Sequence, residues 1–235
     1  MIKNVLFDLD GSLLYMDTDK FMNIYFKTIC KIGLKYGYEP VGFIKSIMKG
    51  TQAMVLNDGT KTNEEAFWET FEKLNPNYDK NIIKDLNNYY ETDFNKVKDS
   101  CKSMDLAKVA VKKCKDLGLN ITLATNPIFP RIATMNRIAW ANLDPKDFNL
   151  ITTYENSSYC KPNLKYYESI LNRFNYKPEE TLMIGNDCNE DLVINKLGVN
   201  VFLLTHCLIN PDDVDLSNIP HGSFEDLLIY LDNLN

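Results

Sequence analysis

The sequence predicts an α/β fold, a doubly wound parallel sheet whose first strand is followed by an inserted all-helical segment. Three observations predict it. An apolar run near the N-terminus ends in paired acids and a glycine. A long stretch of helical spacing without a clear strand comes next. From about residue 100, apolar strands and helical stretches alternate to the C-terminus.

Residues 2–9 read as a buried strand with Val5, Leu6 and Phe7 at its centre. Residues 18–95 read as helices. Phe21, Ile24, Tyr25, Thr28, Ile29 and Ile32 recur at helical spacing, and Gly33 and Gly37 punctuate the end. Pro40 opens a second short helix toward Met48. The segment 49–62 is expected to be a polar link, with Gly50 and Gly59 permitting a turn or hinge. Thr62 is a good N-cap for a helix over 63–74, with Glu65 at the capping-box position. After the Asn75-Pro76-Asn77 turn, 79–90 is helical again. Ser103 is expected to cap a helix reaching Leu117, closed by Gly118. Strands are expected over 119–125, 150–153, 181–184 and 199–204. Helices are expected over 130–141, 163–174 and 190–197, and a last one is capped by Ser223. Trp68, Trp140, Phe67, Phe71 and Leu74 fit packing positions. Residues 1–15 and 100–235 therefore form the expected core, and 16–99 the insertion.

With 235 residues, 45% hydrophobic and 25% charged, the chain can bury a sizeable core as one large domain carrying an insertion. A net charge of −6 argues against a nucleic-acid or anionic-membrane partner. An anionic substrate would need local positive charge, from a metal or a particular lysine. The six cysteines form no CxxC pair and fit reduced thiols, and the two histidines are too few for a His-based zinc site. The N-terminal apolar run is too short for a signal peptide or a membrane span, and no later stretch reaches span length. A cytoplasmic location is expected.

Asp8 and Asp10 are two residues apart, so on a strand they emerge on one side at its carboxyl end. Two carboxylates there repel unless positive charge lies between them, and oxygen ligands suit Mg²⁺. One could attack a substrate while the other handles protons. The competing reading is an ordinary Asp-Gly-Ser turn. Further along stand Leu123-Ala124-Thr125-Asn126, Lys161-Pro162, and Ile184-Gly185-Asn186-Asp187 followed by Asp191. The first and last of these end expected parallel strands, so they meet the acids at one sheet edge.

In these motifs and their order the chain resembles the haloacid dehalogenase-like hydrolase superfamily, over the core segments 1–15 and 100–235. The insertion matches in position and helical character, as the family's helical C1 cap. The resemblance implies a Rossmann-like core and assigns roles. Asp8 would be the nucleophile, forming an aspartyl-phosphate. Asp10 would protonate the leaving group, activate water, and lend its carbonyl to Mg²⁺. Thr125 would hold a phosphoryl oxygen, with Asn126 beside it among the cofactor-binding residues. Lys161 would neutralise charge, and Asp191 would hold Lys161 or metal-bound water. Asp8, Asp10, Asp187, Asn186 and Asp191 are the candidate Mg²⁺ ligands. Many relatives carry Thr where Ser12 stands. Many also place the metal acid directly after the glycine, where this chain has Asn186. The ligand is Asp187, Asn186 or both, and the anion favours Asp187.

The expected reaction is hydrolysis of a small phosphorylated metabolite. A phosphomutase shares the core chemistry. A dehalogenase would not need Asp10 or Asp187. A phosphonate hydrolase would need a Schiff-base lysine, whereas most of Lys27, Lys31, Lys35, Lys45 and Lys49 fit solvated helix faces. A phospho-acceptor signalling module would place its Asp on a later strand. The leaving group is expected to be read by Lys49, Gln52 and their polar link, with Arg131 as a second candidate.

Overall fold

A computed structural model describes residues 1–234. Strand β1 (Asn4–Phe7) lies at the centre of a parallel sheet, between β4 (Asn120–Leu123) and β6 (Thr181–Gly185). The six-stranded sheet is completed by β5 (Leu150–Ile151) beyond β4, and by β7 (Asn200–Leu204) and β8 (His221–Gly222) beyond β6. A central parallel strand is covered on both faces, hence its unbroken apolar sequence. Side-chain alternation sends Val5 and Phe7 into one core and Leu6 into the other. Helices α5 (Asp105–Asp116), α6 (Arg131–Trp140) and α8 (Phe224–Asp232) supply residues to the first core. Helix α7 (Leu164–Phe174) and the 3₁₀ segment Leu192–Leu197 supply the second.

The insertion leaves through β2 (Leu14–Met16) and returns through β3 (Cys101–Ser103). These two strands pair antiparallel, with Tyr15 opposite Lys102, so both crossings form one ribbon. Between them lie α1 (Thr18–Lys35), α2 (Pro40–Val55), α3 (Asn63–Leu74) and α4 (Asn81–Glu91), then a 3₁₀ segment Asp93–Ser100. The capping box at α3 is complete: Glu65 N donates to Thr62 Oγ1 and Thr62 N to Glu65 Oε2. Phe21, Tyr25, Phe43, Phe71, Tyr89 and Phe94 supply much of the insertion's share of the first core, which runs on without a break into the sheet.

Several expectations are corrected. Helix α2 runs on to Val55, so residues 49–55 are helix and the link is 56–62. Gly50 is no hinge. It sits inside α2 where a Cβ would come within 2.5 Å of the Phe67 ring, so its lack of a side chain lets α2 and α3 pack closely. Gly33 likewise lies inside α1 rather than ending it. Ser103 belongs to β3, and the residue before α5 is Met104. Residues 192–197 are 3₁₀ rather than α-helical. Leu74 is half exposed, outside the insertion's core. Strands β2, β3 and β8 have no counterpart in the expected elements, being two or three residues long.

Filling the gap at Gly50 should separate α2 from α3. Gly50→Val is expected to cost about 1–3 kcal/mol, as overpacking in a well-packed core does. The check is the urea midpoint; a variant as stable as wild type would show that the α2–α3 contact is not tight.

Candidate active site

Asp8 follows β1 directly, and its N–H still donates to Ile184 O at 2.9 Å, which holds it at the carboxyl edge of the sheet. The next turn needs Gly11, whose φ is +84° and whose Cα abuts Asn186 so closely that a Cβ would lie 2.6 Å from Nδ2. Lys161, in the loop before α7, reaches the same edge. Its Nζ donates to Asp8 Oδ1 at 2.7 Å and to Asp191 Oδ1 at 2.6 Å, and its side chain is wholly buried. Asp191 Oδ2 accepts the main-chain N–H groups of Asn186 and Asp187 at 2.9 and 3.1 Å. Both oxygens of Asp191 are therefore occupied, and of the two roles expected of it, holding Lys161 is the one its contacts serve.

Burial pushes Asp8 up to about 7. Lys161 pulls it down, while Asp191 and Asp10 raise it further. Burial also opposes charge on Lys161, but Asp191 and Asp8 outweigh it and hold the ammonium well above the usual lysine range. The surplus in this centre is negative.

Asp10 is oriented by a residue that the sequence reading missed. Arg137 of α6 pairs through Nη1 with Asp10 Oδ2, stacks on the Phe129 ring at 4.7 Å, and donates from Nη2 to Thr134 Oγ1 at 3.2 Å. Burial raises the Asp10 carboxyl above its ordinary range despite Arg137 and Lys161. A signal for Arg137 was present: it shares a buried stripe with Ala133, Thr134 and Ile138, and a charge on such a stripe must be paired.

Thr125 is buried, and its carbonyl accepts from Thr152 Oγ1 at 2.7 Å and Tyr166 OH at 3.0 Å. Asn126 Nδ2 donates to Glu190 Oε1 at 3.0 Å. Asn186 lies against the Asp10–Ser12 turn; its Oδ1 accepts from Ser12 Oγ and its Nδ2 donates to Cys207 O, both at 2.7 Å. Asp187 turns elsewhere, with Oδ1 capping the N–H groups of Asn189 and Glu190 at 2.7 and 3.0 Å. Asp191 N donates to Asp187 O at 2.8 Å, closing one turn, but Asp187 Oδ1 caps that turn while Asp191 Oδ1 accepts from Lys161. Arg131 is exposed in a separate hollow with Pro145 and Lys146. Lys49 and Gln52 are exposed and hydrogen-bond each other at 2.9 Å. None of these three faces Asp8.

A hard cation fits this donor set. Asp8 is raised by burial first and by the Asp191 and Asp10 carboxylates second, and Asp10 Oδ1 and Asn126 Oδ1 are buried without a hydrogen-bond partner. The nearby donors are oxygens throughout, as Mg²⁺ prefers. Among the described residues no three His, Cys, Asp or Glu side chains already converge as a metal cluster, so neutral oxygens would have to contribute.

The family model described as "Hydrolase: haloacid dehalogenase-like hydrolase" matches residues 2–196. This chain belongs to that family. The hydrolase also shares its fold with solved structures. A HAD phosphatase from Thermococcus onnurineus superimposes with a TM-score of 0.60 at 17% identity, covering 98% of each chain. CbbY from Rhodobacter sphaeroides, solved in complex with phosphate, gives 0.59 at 16% identity, covering 99% of this chain and 100% of that one. A curated relative, glyceraldehyde 3-phosphate phosphatase from Methanothermobacter thermautotrophicus, is 37% identical over 46 residues, a fifth of each chain.

Two outcomes follow from the buried charges. Lys161→Met strands two carboxylates and is expected to cost about 3–5 kcal/mol at pH 8. The loss should be much smaller at pH 5, where Asp8 can be neutral. Wild type stripped with a chelator has its own slope. Its folded state keeps a proton on Asp8 that the unfolded chain, titrating near 3.9, has lost. Stability should therefore fall as pH rises from about 4 to about 7, and Asp8→Asn should flatten that slope. Urea midpoints across this range decide both; parallel curves for wild type and Asp8→Asn would refute the second.

Proposed function

We propose that this hydrolase is a Mg²⁺-dependent phosphatase that cleaves a small phosphomonoester through an aspartyl-phosphate on Asp8. The observation that carries the reading is the buried Lys161 ammonium, hydrogen-bonded to Asp8 at the carboxyl edge of the sheet. A carboxylate meets a phosphate dianion against charge repulsion, and a dry site with fixed positive charge removes that barrier.

Asp8 attacks phosphorus through a carboxylate oxygen, and the bond from phosphorus to the leaving oxygen breaks. Asp10 gives its proton to that oxygen, releasing the alcohol; its raised carboxyl suits an acid. Asp10, now ionised, takes a proton from water as the water attacks the aspartyl-phosphate, releasing phosphate and restoring Asp8. Lys161 offsets charge on Asp8 throughout. Asp191 holds Lys161 and the 186–187 backbone in place. The Thr125 hydroxyl and the neighbouring main-chain N–H groups bind phosphoryl oxygens. Mg²⁺, held by Asp8, the Asp10 carbonyl and Asp187 or Asn186, would neutralise phosphate charge.

Residues 1–15 and 100–235 are the catalytic unit in this reading, and 16–99 the cap that excludes water and selects the substrate. Six free cysteines suit a reducing cytoplasm. No helix among the described residues is long and apolar enough to cross a membrane.

Phosphate release from a generic aryl phosphate tests this directly. Wild type should turn over with Mg²⁺ and stop with EDTA. Asp8→Asn should lose at least ~10³-fold, about 4 kcal/mol of barrier. Transfer of phosphate to an added alcohol but not to water would instead identify a phosphotransferase of the mutase type. Turnover unaffected by Asp8→Asn would end the proposal.

A further inference from the structure

A cavity of about 350 Å³ lies between the helical insertion and the sheet edge. Its insertion side is formed by Phe21 and Tyr25 of α1, Ile47 and Met54 of α2, and Trp68 of α3, and Phe129 closes it from the core side. Asp10 and Arg137 are the charged residues of its wall, and they are paired with each other. The Tyr25 and Tyr90 hydroxyls are likewise joined at 3.0 Å, and Thr51 Oγ1 donates to Ile47 O at 3.1 Å. Asp10 Oδ1 has no hydrogen-bond partner, and Thr18, Asn87 and Tyr154 add polar groups, but the rest of the lining is mostly hydrocarbon, aromatic rings and sulfur, too few polar groups to meet the many hydroxyls of a polyol.

Asp10 belongs to both places. It stands two residues from Asp8 and also forms part of the cavity wall. A general acid must touch the leaving-group oxygen. The carbon skeleton attached to that oxygen then extends into the cavity. A sugar or polyol there would leave several hydroxyls without partners, and such burial is strongly disfavoured. A carboxylate-bearing alcohol would need a cation, and the cation of this wall is committed to Asp10.

Resting on the phosphatase reading, we propose that the substrate is the phosphomonoester of an apolar alcohol, with an aromatic or branched aliphatic leaving group. Aromatic walls fit rings edge-on or offset, and the methionines Met22, Met48 and Met54 adapt to irregular hydrocarbon. The polar groups on the outer face of α2, Lys49 and Gln52, take no part.

The test compares esters whose alcohols have similar basicity: benzyl and hexyl phosphate against glycerol 3-phosphate and glucose 6-phosphate, with the full chain and Mg²⁺. The apolar esters should exceed the polyol esters at least 100-fold in kcat/KM. Binding of benzyl alcohol alone, read by Trp68 fluorescence, reports the cavity without turnover; the other tryptophan, Trp140, packs on Phe94 outside the cavity wall. Met54→Lys should reduce the apolar-to-polyol ratio at least tenfold and abolish the fluorescence response. Thr51→Phe, which fills the cavity from a partly exposed position, should do the same if Met54→Lys does not fold. Polyol esters turned over as well as apolar ones would overturn the proposal. Alcohol binding without hydrolysis of any ester would sink the phosphatase reading and uphold the apolar ligand. Neither binding nor hydrolysis would overturn both.

Discussion

The ion chain Asp8–Lys161–Asp191 is the constraint on which the rest depends. Its members come from three separate parts of the sheet edge: the end of β1, the loop before α7 and the turn after β6. A buried ammonium is tolerated only with partners on hand, and each partner is tolerated only with the ammonium. The parallel order that brings β4, β1 and β6 side by side therefore sets the distance at which those charges meet. Asp191 extends the chain into the backbone at Asn186 and Asp187, and the Asn186 side chain in turn packs against Gly11 and Ser12. The loops around Asp8 are thus joined by charge-assisted hydrogen bonds as well as by the packing of Leu9 and Leu13.

Much of this was legible because the signals were local. The strand before Asp8 announces itself by an apolar run, and the capping box at Thr62 and Glu65 by two residues at a set interval. What escaped depends on tertiary partners. Gly50 reads as a breaker in the sequence, yet it is a contact point, since only the neighbouring Phe67 reveals why a side chain is missing. Strands β2 and β3 exist by pairing with each other and carry no periodicity of their own. Lys49 and Gln52 look suited to binding, but α2 continues through them and turns them outward. Arg137 lies far from the acids in sequence, and its link to Asp10 arises from the fold. In the candidate site, the residue types and their order could be read from the chain. Which of Asn186 and Asp187 faces the turn could not, because that depends on the hydrogen bonds of Ser12 and Cys207.

The molecule separates two kinds of environment by a single residue. On one side of Asp10 stand charges and hydrogen-bonding groups; on the other, the walls are mostly hydrocarbon, aromatic rings and sulfur. In the phosphatase reading, a net-negative protein would meet an anion in this way without a basic surface. Its effective cations, Lys161 and Arg137, are buried where the dielectric is low and each is worth more than an exposed lysine.

The β2–β3 ribbon has a consequence for how such a protein can change over evolutionary time. The chain departs at Leu14 and comes back opposite it at Ser103, so the excursion begins and ends at adjacent points. A different excursion with neighbouring ends could be joined there without moving β1 or the residues that follow β4 and β6. Selection can then exchange the whole cassette, and with it the cavity wall that faces the sheet edge, while Asp8 and Asp10 stay unaltered. Substitutions within the ribbon itself offer no such freedom, since they alter the joint that every cassette must share.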